Sequence, residues 1–236
     1  MKKILIIAVI ILSIFLIYLT TIDKKVYYLA LGDEITLGMV EEGYYQKGYA
    51  EYIKEYLENK NKLEIYIPDY ATNNYQITDI INDINKNKEI EESKKTIKNA
   101  LIKADLITIS IGNNDILQKI SNQRKLTKID YNKLKKNIDT ILEDMDKMQK
   151  LIREYSKEDI IQIGIYINYE DEKIDELVHY ANENLKIISN KNKITYIDIY
   201  EIISSNKTPK IYPTEEEYKN ISEAIINVIN TNLLKK

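Results

Sequence analysis

Val26-Tyr27-Tyr28-Leu29-Ala30-Leu31-Gly32-Asp33-Glu34-Ile35-Thr36-Leu37-Gly38 is the stretch from which the fold of this chain is read. Its first six residues form an unbroken apolar run, the pattern of a strand buried on both faces of a parallel sheet. A glycine and two acids follow at once. A second apolar run, Leu106-Ile107-Thr108-Ile109-Ser110-Ile111, ends in the same way, in Gly112-Asn113-Asn114-Asp115. In a parallel sheet both polar clusters fall at the carboxyl ends of their strands, where the ligand crevice of such folds lies.

Outward from these two runs the chain alternates strand-like and helix-like segments. Helical spacing is expected over 48–59, with Tyr49, Ile53, Tyr56 and Leu57 on one face, and over 78–85, 91–103, 130–155 and 173–189. A last helix carries Ile221, Ala224, Ile225, Val228 and Ile229 on one face. Strands are expected over 63–67, ending at Pro68, and over 160–167 and 194–199; residues 119–128 are polar and read as a loop. The β-α-β-α order implies an α/β fold, a three-layer sandwich with helices on both faces of a parallel sheet.

The 236 residues have a net charge of -3 and a pI near 5.5, which gives no electrostatic basis for nucleic acid as a partner. There is no cysteine, which excludes disulfides, thiolate metal sites and a cysteine nucleophile. The 20 tyrosines, with one Phe and no Trp, supply most of the aromatic packing. Residues 4–18 are apolar apart from Ser13, and 20–22 extend the run towards Asp23. This is close to the length that spans a bilayer, and no small-residue cleavage site follows. Residues 1–25 are therefore expected to be a signal anchor with a short stalk, the membrane a partner through residues 4–22, and residues 26–236 one extracellular domain; cleavage and secretion is the alternative. Lys2 and Lys3 favour a cytoplasmic amino terminus, an inference that Lys24 and Lys25 weaken.

Four pieces of the chain, in order, resemble the SGNH, or GDSL, hydrolases, notably the secreted or membrane-tethered lipase/acylhydrolase branch of Gram-positive bacteria. They are Gly32-Asp33-Glu34-Ile35-Thr36-Leu37-Gly38; Ala71-Thr72-Asn73-Asn74; residues 104–115, ending in Gly112-Asn113-Asn114-Asp115; and Tyr212-Pro213-Thr214-Glu215-Glu216-Glu217-Tyr218. The resemblance implies a flavodoxin-like sheet. It also implies ester chemistry by a serine, a histidine and an aspartate three residues before that histidine. Backbone N–H groups of the serine and a glycine, and an asparagine side chain, would hold the oxyanion.

Against that pattern Asn114 matches the oxyanion asparagine. Gly32, Asp33, Gly112 and Asp115 match positions whose roles look structural. Glu34 stands where the serine belongs, Asn74 where the glycine belongs, Tyr212 for the histidine and Pro209 for the aspartate. The expected consequence is a hydrolase fold without serine esterase activity, with no cofactor or metal, serving as a binding or scaffold module for an acylated or glycan ligand at the cell surface. Two alternatives stay open. Glu34 could support rearranged chemistry as nucleophile or base, with Tyr212, or with Asp115 as a carboxylate pair or weak site for a hard cation. Or the likeness could be architectural only, in which case Glu34, Asn114 and Tyr212 would fall in separate regions. His179, the only histidine, is expected within the 173–189 helix in a structural or surface role.

Overall fold

The computed structural model describes residues 25–91, 94–124, 129–203 and 210–234. The predicted anchor over residues 4–22 and Pro209 lie outside them. Among the described residues no helix is long and apolar enough to cross a membrane.

Five strands form one parallel sheet, β1 (Val26–Gly32), β2 (Leu63–Ala71), β5 (Leu106–Ser110), β6 (Asp159–Ile163) and β7 (Thr195–Ile197), in the order β2-β1-β5-β6-β7. A two-stranded ribbon, β3 (Glu89–Ile90) with β4 (Lys95–Thr96), stands apart from it. The helices are α1 (Glu34–Leu37), α2 (Tyr49–Asn59), α3 (Ile77–Lys86), α4 (Ile97–Lys103), α5 (Asn113–Arg124), α6 (Tyr131–Tyr155), α7 (Glu172–Lys191), α8 (Tyr200–Ile203) and α9 (Glu215–Asn232). Helices α2 and α9 pack together on one face; α3, α4, α5 and α7 pack around α6 on the other. This is the three-layer α/β/α sandwich. The connection from β1 runs to β2 on one side, while β5 pairs on the other. The order therefore reverses between β1 and β5, the switch point at which such sheets open a crevice.

Every residue of β1 and β5 is buried, as their unbroken apolar runs require. Tyr28, Tyr49, Tyr70 and Tyr218 are fully buried and fill the role that Phe and Trp take elsewhere. Each phenol finds a partner: Tyr28 with Thr108 Oγ1 at 2.8 Å, Tyr49 with Thr36 Oγ1 at 3.1 Å, Tyr70 with Lys95 O at 3.0 Å and Tyr218 with Met39 O at 2.7 Å. Buried hydroxyls without partners would cost stability; these instead add specificity to the packing.

Four sequence-based boundaries are corrected. Strand β2 continues through Pro68 to Ala71. It is an edge strand, where the missing N–H of proline is tolerated, and its register against β1 shifts between Leu29 and Leu31 to absorb an extra residue there. Residues 113–124 are helix α5, not a loop from 119; Ile116, Ile120 and Gln123 are buried along it. The helix expected from 91 begins only at Ile97, after the β3–β4 ribbon. Strand β6 ends at Ile163, because its neighbour β7 ends at Ile197. The buried backbone beyond it is held by side chains: Asn182 bonds the N–H and C=O of Ile165, each at 2.8 Å, and Asn113 those of Tyr166, at 3.1 and 3.0 Å.

Gly32 closes β1 against β5. Its φ is +148°, and a β-carbon there would lie 2.1 Å from the Ser110 carbonyl oxygen. Gly32→Ala is expected to cost about 3 kcal/mol or more in urea unfolding. Gly43→Ala, at φ +81° with no atom within 4 Å of the added carbon, should cost about 1–2 kcal/mol. Equal losses at the two sites would contradict the close approach of β1 to β5.

Candidate functional site

Glu34 is the first residue of α1, immediately after β1. Asp33 caps that short helix, its Oδ1 accepting from Ile35 N–H at 3.1 Å, and so turns the Glu34 side chain into the crevice at the switch point. The Glu34 residue is only 2% exposed. A buried carboxylate must be hydrogen-bonded to persist, and three separate segments supply the donors. Asn74 N–H donates to Oε2 at 2.9 Å, the Asn114 side-chain amide to the same oxygen at 3.0 Å, and the Tyr212 hydroxyl to Oε1 at 3.1 Å.

Each donor is itself held. Asn74 adopts φ 60°, the left-handed region that glycine takes freely and asparagine tolerates well, and this aims its N–H inward. Asn114, in the first turn of α5, uses its amide a second time on the Tyr75 carbonyl at 3.0 Å. The Tyr212 segment is pinned from both sides. Glu41 accepts from the N–H groups of Ile211 and Tyr212, the latter at 2.7 Å. Lys210 makes a buried ion pair with Glu217, whose other carboxylate oxygen caps Thr214 N at 2.8 Å. Lys210 also bridges backbone to backbone with Asn168.

The site is electrically crowded. Burial, then the neighbouring Glu34 charge, pushes the Asp33 carboxyl well above the usual carboxylate range; its Oδ2 has no hydrogen-bond partner among the described residues. Burial pushes the Asp115 carboxyl up to about 6, although it accepts from Ile77 N–H at 3.2 Å. Burial, then Glu34, raises the Tyr212 phenol. Tyr212 therefore keeps its proton, donates a hydrogen bond to Glu34 and is no base at neutral pH.

The structure brings Glu34, Asn74, Asn114 and Tyr212 into one cluster, with Gly32 and Gly112 at the turns beneath it, so the likeness is not architectural only. It does not form the Glu34–Asp115 pairing entertained from the sequence, since Asp115 turns to the start of α3. Among the described residues no group of three or more acids and histidines is placed to hold a metal ion. His179 is exposed on α7, 3.8 Å from Asp175 and against the Tyr200 ring, and does not join the cluster. The sequence reading missed Glu41, Lys210 and Asn113. The Thr214…Glu217 spacing is the one local signal that was available, a helix capping box that fixes where the Tyr212 segment ends.

Two clefts flank the cluster. One, about 370 Å³, is lined by Asn74, Gln76, Asn114, Leu117, Gln118 and Ser121. The other, about 230 Å³, lies between residues 40–46 and 212–215.

A family model described as GDSL-like Lipase/Acylhydrolase matches residues 28–225. No curated protein matches the sequence significantly. Among solved structures, the lipase Lip_vut3 from a goat rumen metagenome is 22% identical, with a TM-score of 0.71 over 88% of this chain and 98% of its own. The acetylxylan esterase Axe2 of Geobacillus stearothermophilus is 14% identical, with a TM-score of 0.63 over 88% and 95%. LAE5, an alpha/beta hydrolase enzyme from the metagenome of Lake Arreo in Spain, is 12% identical, with a TM-score of 0.60 over 86% and 94%. These likenesses are of fold.

Removing Glu34 leaves three donors facing an empty space. Glu34→Ala is expected to lose about 1–3 kcal/mol, and added formate should raise the thermal midpoint of the variant while leaving the parent unmoved; identical responses would show that the three donors do not form an anion site. Asp115 gives a pH signature. A carboxyl that ionises less readily when folded stabilises the fold fully below its unfolded pKa of about 3.9, and that contribution is lost as pH rises through about 6. Asp115→Asn should therefore flatten the stability profile between these values, gaining at most about 3 kcal/mol at neutral pH; an unchanged slope in chemical unfolding would refute it.

Proposed function

Because the chain belongs to the GDSL-like lipase/acylhydrolase family, we propose that its crevice binds a ligand without cleaving it by serine chemistry, and that the protein is a membrane-tethered binding or scaffold module outside the cell. The observation that carries this is the Glu34 carboxylate, held by Asn74 N–H, the Asn114 amide and the Tyr212 hydroxyl. By the family resemblance, the first two of these donors are the ones that would stabilise a developing oxyanion. Here they already hold a side-chain oxygen of Glu34. An ester oxyanion forming at the same spot would have to displace that carboxylate and then sit beside it.

The proton chemistry is missing as well. No serine stands at residue 34, and Tyr212 has no capacity to accept a proton at neutral pH. Loss of one oxyanion donor alone typically costs about 3–4 kcal/mol of transition-state stabilisation, and loss of a general base a further 10²–10⁴-fold or so. The tether is read from the apolar run at residues 4–22.

The flanking clefts favour a neutral glycan, acylated or not. The larger is lined by amides and a hydroxyl, the side chains that exchange hydrogen bonds with sugar hydroxyls. Tyr44 and Tyr45, 56% and 48% exposed, offer flat apolar faces near the smaller one. One of the similar folds is an acetylxylan esterase, an enzyme on an acylated glycan.

A second reading, active hydrolysis with Glu34 as nucleophile or base, is favoured by the kinship with lipases and esterases. It requires Glu34 to shed donors that lower its reactivity.

Purified protein is expected to turn over neither short p-nitrophenyl esters nor acetylated xylo-oligosaccharides, with or without Mg²⁺ or Ca²⁺. Turnover abolished by Glu34→Ala, or a covalent adduct with an organophosphonate probe, would establish the second reading. The combined variant Glu34→Ser, Asn74→Gly, Tyr212→His and Pro209→Asp should gain measurable esterase activity.

A further inference from the structure

All five strands of the sheet run in one direction, so the molecule has an amino edge and a carboxyl edge. The crevice occupies the carboxyl edge. The amino edge is reached through Lys25, through Lys103 at the end of α4, and through the turns 60–62, 104–105, 156–158 and 192–194, each of which leads into a strand. With Asp159, which opens β6, these residues carry six lysines (25, 60, 62, 103, 157 and 193) against three acids, Asp105, Glu158 and Asp159. Asp105 is turned inward, its Oδ2 accepting from Tyr27 N–H at 2.9 Å. Lys25, Lys60, Lys103, Lys157 and Lys193 are all exposed. The carboxyl edge is the more acidic, with Glu34 at the start of α1 and Glu41, Glu42, Glu170, Asp171 and Asp198 in its loops, against Lys47 and Lys210. A chain of net charge -3 therefore carries its charge as a dipole along the strands.

Lysine near a helix carboxyl terminus suits the helix dipole, and that alone would account for Lys103 and Lys191. It does not account for the lysines within the turns, nor for the way two of the turns are tied together. The Arg153 guanidinium donates to the carbonyls of Glu158 at 2.7 Å, Asn192 at 3.2 Å and Lys193. Asp159 and Glu158 lie within electrostatic reach of it. A cleft of about 730 Å³ opens beside it, lined by Lys150, Arg153, Lys157, Lys191 and Lys193 against Glu154, Glu158 and Asp159; Lys150 and Lys191 also pair with Asp146, at 2.6 and 3.7 Å.

We propose that this amino edge is a docking surface for anionic lipid headgroups. Besides the charge, the argument is the place where the chain enters the domain. Two residues, Asp23 and Lys24, separate the end of the apolar run at 22 from Lys25, and the three steps reach roughly 10 Å fully extended. That is about one Debye length at physiological salt, so a tether of this length would hold Lys25 within electrostatic range of anionic headgroups. Docking would stand the strands away from the membrane and present the crevice outward, towards glycan and not towards lipid. The distance argument rests on the tether proposed above; the charge argument does not.

The test uses the full chain with vesicles of phosphatidylcholine alone or of phosphatidylcholine with phosphatidylglycerol, read by flotation and by the rate of lysine acylation, residue by residue, in mass spectrometry. Flotation with both vesicle types, together with several-fold slower labelling of Lys60, Lys103, Lys157 and Lys193 on the anionic vesicles only, supports the proposal. Labelling of Lys47 and Lys119 should not change. High salt, or the variant Lys60→Glu, Lys103→Glu and Lys157→Glu with an unaltered thermal midpoint, should erase the protection. Flotation with both but equal labelling on both overturns the docking surface and leaves the tether standing. Flotation with anionic vesicles alone sustains the surface and removes the tether. Flotation with neither rejects both.

Discussion

A carboxylate taken out of water has to be surrounded by donors, or the several kcal/mol of lost hydration goes unrepaid. Glu34 is such a carboxylate, and much of the carboxyl edge of this molecule is arranged around it. Three loops distant in sequence meet because each brings one donor to its two oxygens. Each loop is in turn fixed by contacts of its own: the left-handed turn at Asn74, the second hydrogen bond of Asn114, and the clamp of Glu41, Lys210 and Glu217 around Tyr212. The arrangement reads as a built strut across the crevice, in which the site's anion is part of the chain.

The electrostatics bear on how that strut coexists with its neighbours. Asp33 and Asp115 lie in the same buried region, and burial makes both reluctant to ionise. Only Glu34 has donors on both oxygens. Burial of Asp33 beside Glu34 makes it hold its proton more tightly, which eases like-charge repulsion between these two neighbours. A crevice of this kind is poorly suited to a second anion and better suited to neutral, hydrogen-bonding ligands in the clefts beside it.

Much of the fold was legible because local and global preferences agree. The unbroken runs at β1 and β5 could only be strands buried on both faces, and the long apolar stripe of α6 could only be a helix against the sheet. The misreadings fall where a neighbour overrode the local signal. Pro68 ends a strand by its own chemistry but is carried through at an edge by a register shift. The polar second half of α5 reads as loop, yet it is held as helix because Ile116, Ile120 and Gln123 have somewhere to pack. Residues 164–167 look like strand, but they lie beyond the end of β7, and asparagine side chains bond their backbone instead.

The sequence by itself determined the sheet's polarity, the meeting of the Gly32-Asp33-Glu34 and Gly112-Asn113-Asn114-Asp115 turns at one edge, and the presence of an acid where the family pattern has a hydroxyl. The first two follow from periodicity and order, which are local properties of the chain; the third follows from the resemblance of its motifs to the family's. Only the tertiary structure decided what that acid does. Whether Glu34 faced Asp115, a cation or a set of donors depended on the φ of Asn74, the direction of one amide and the clamp on a loop nearly 180 residues away. Hydrogen bonds are directional and short, and no spacing in a sequence specifies which of several nearby polar groups will come within 3 Å.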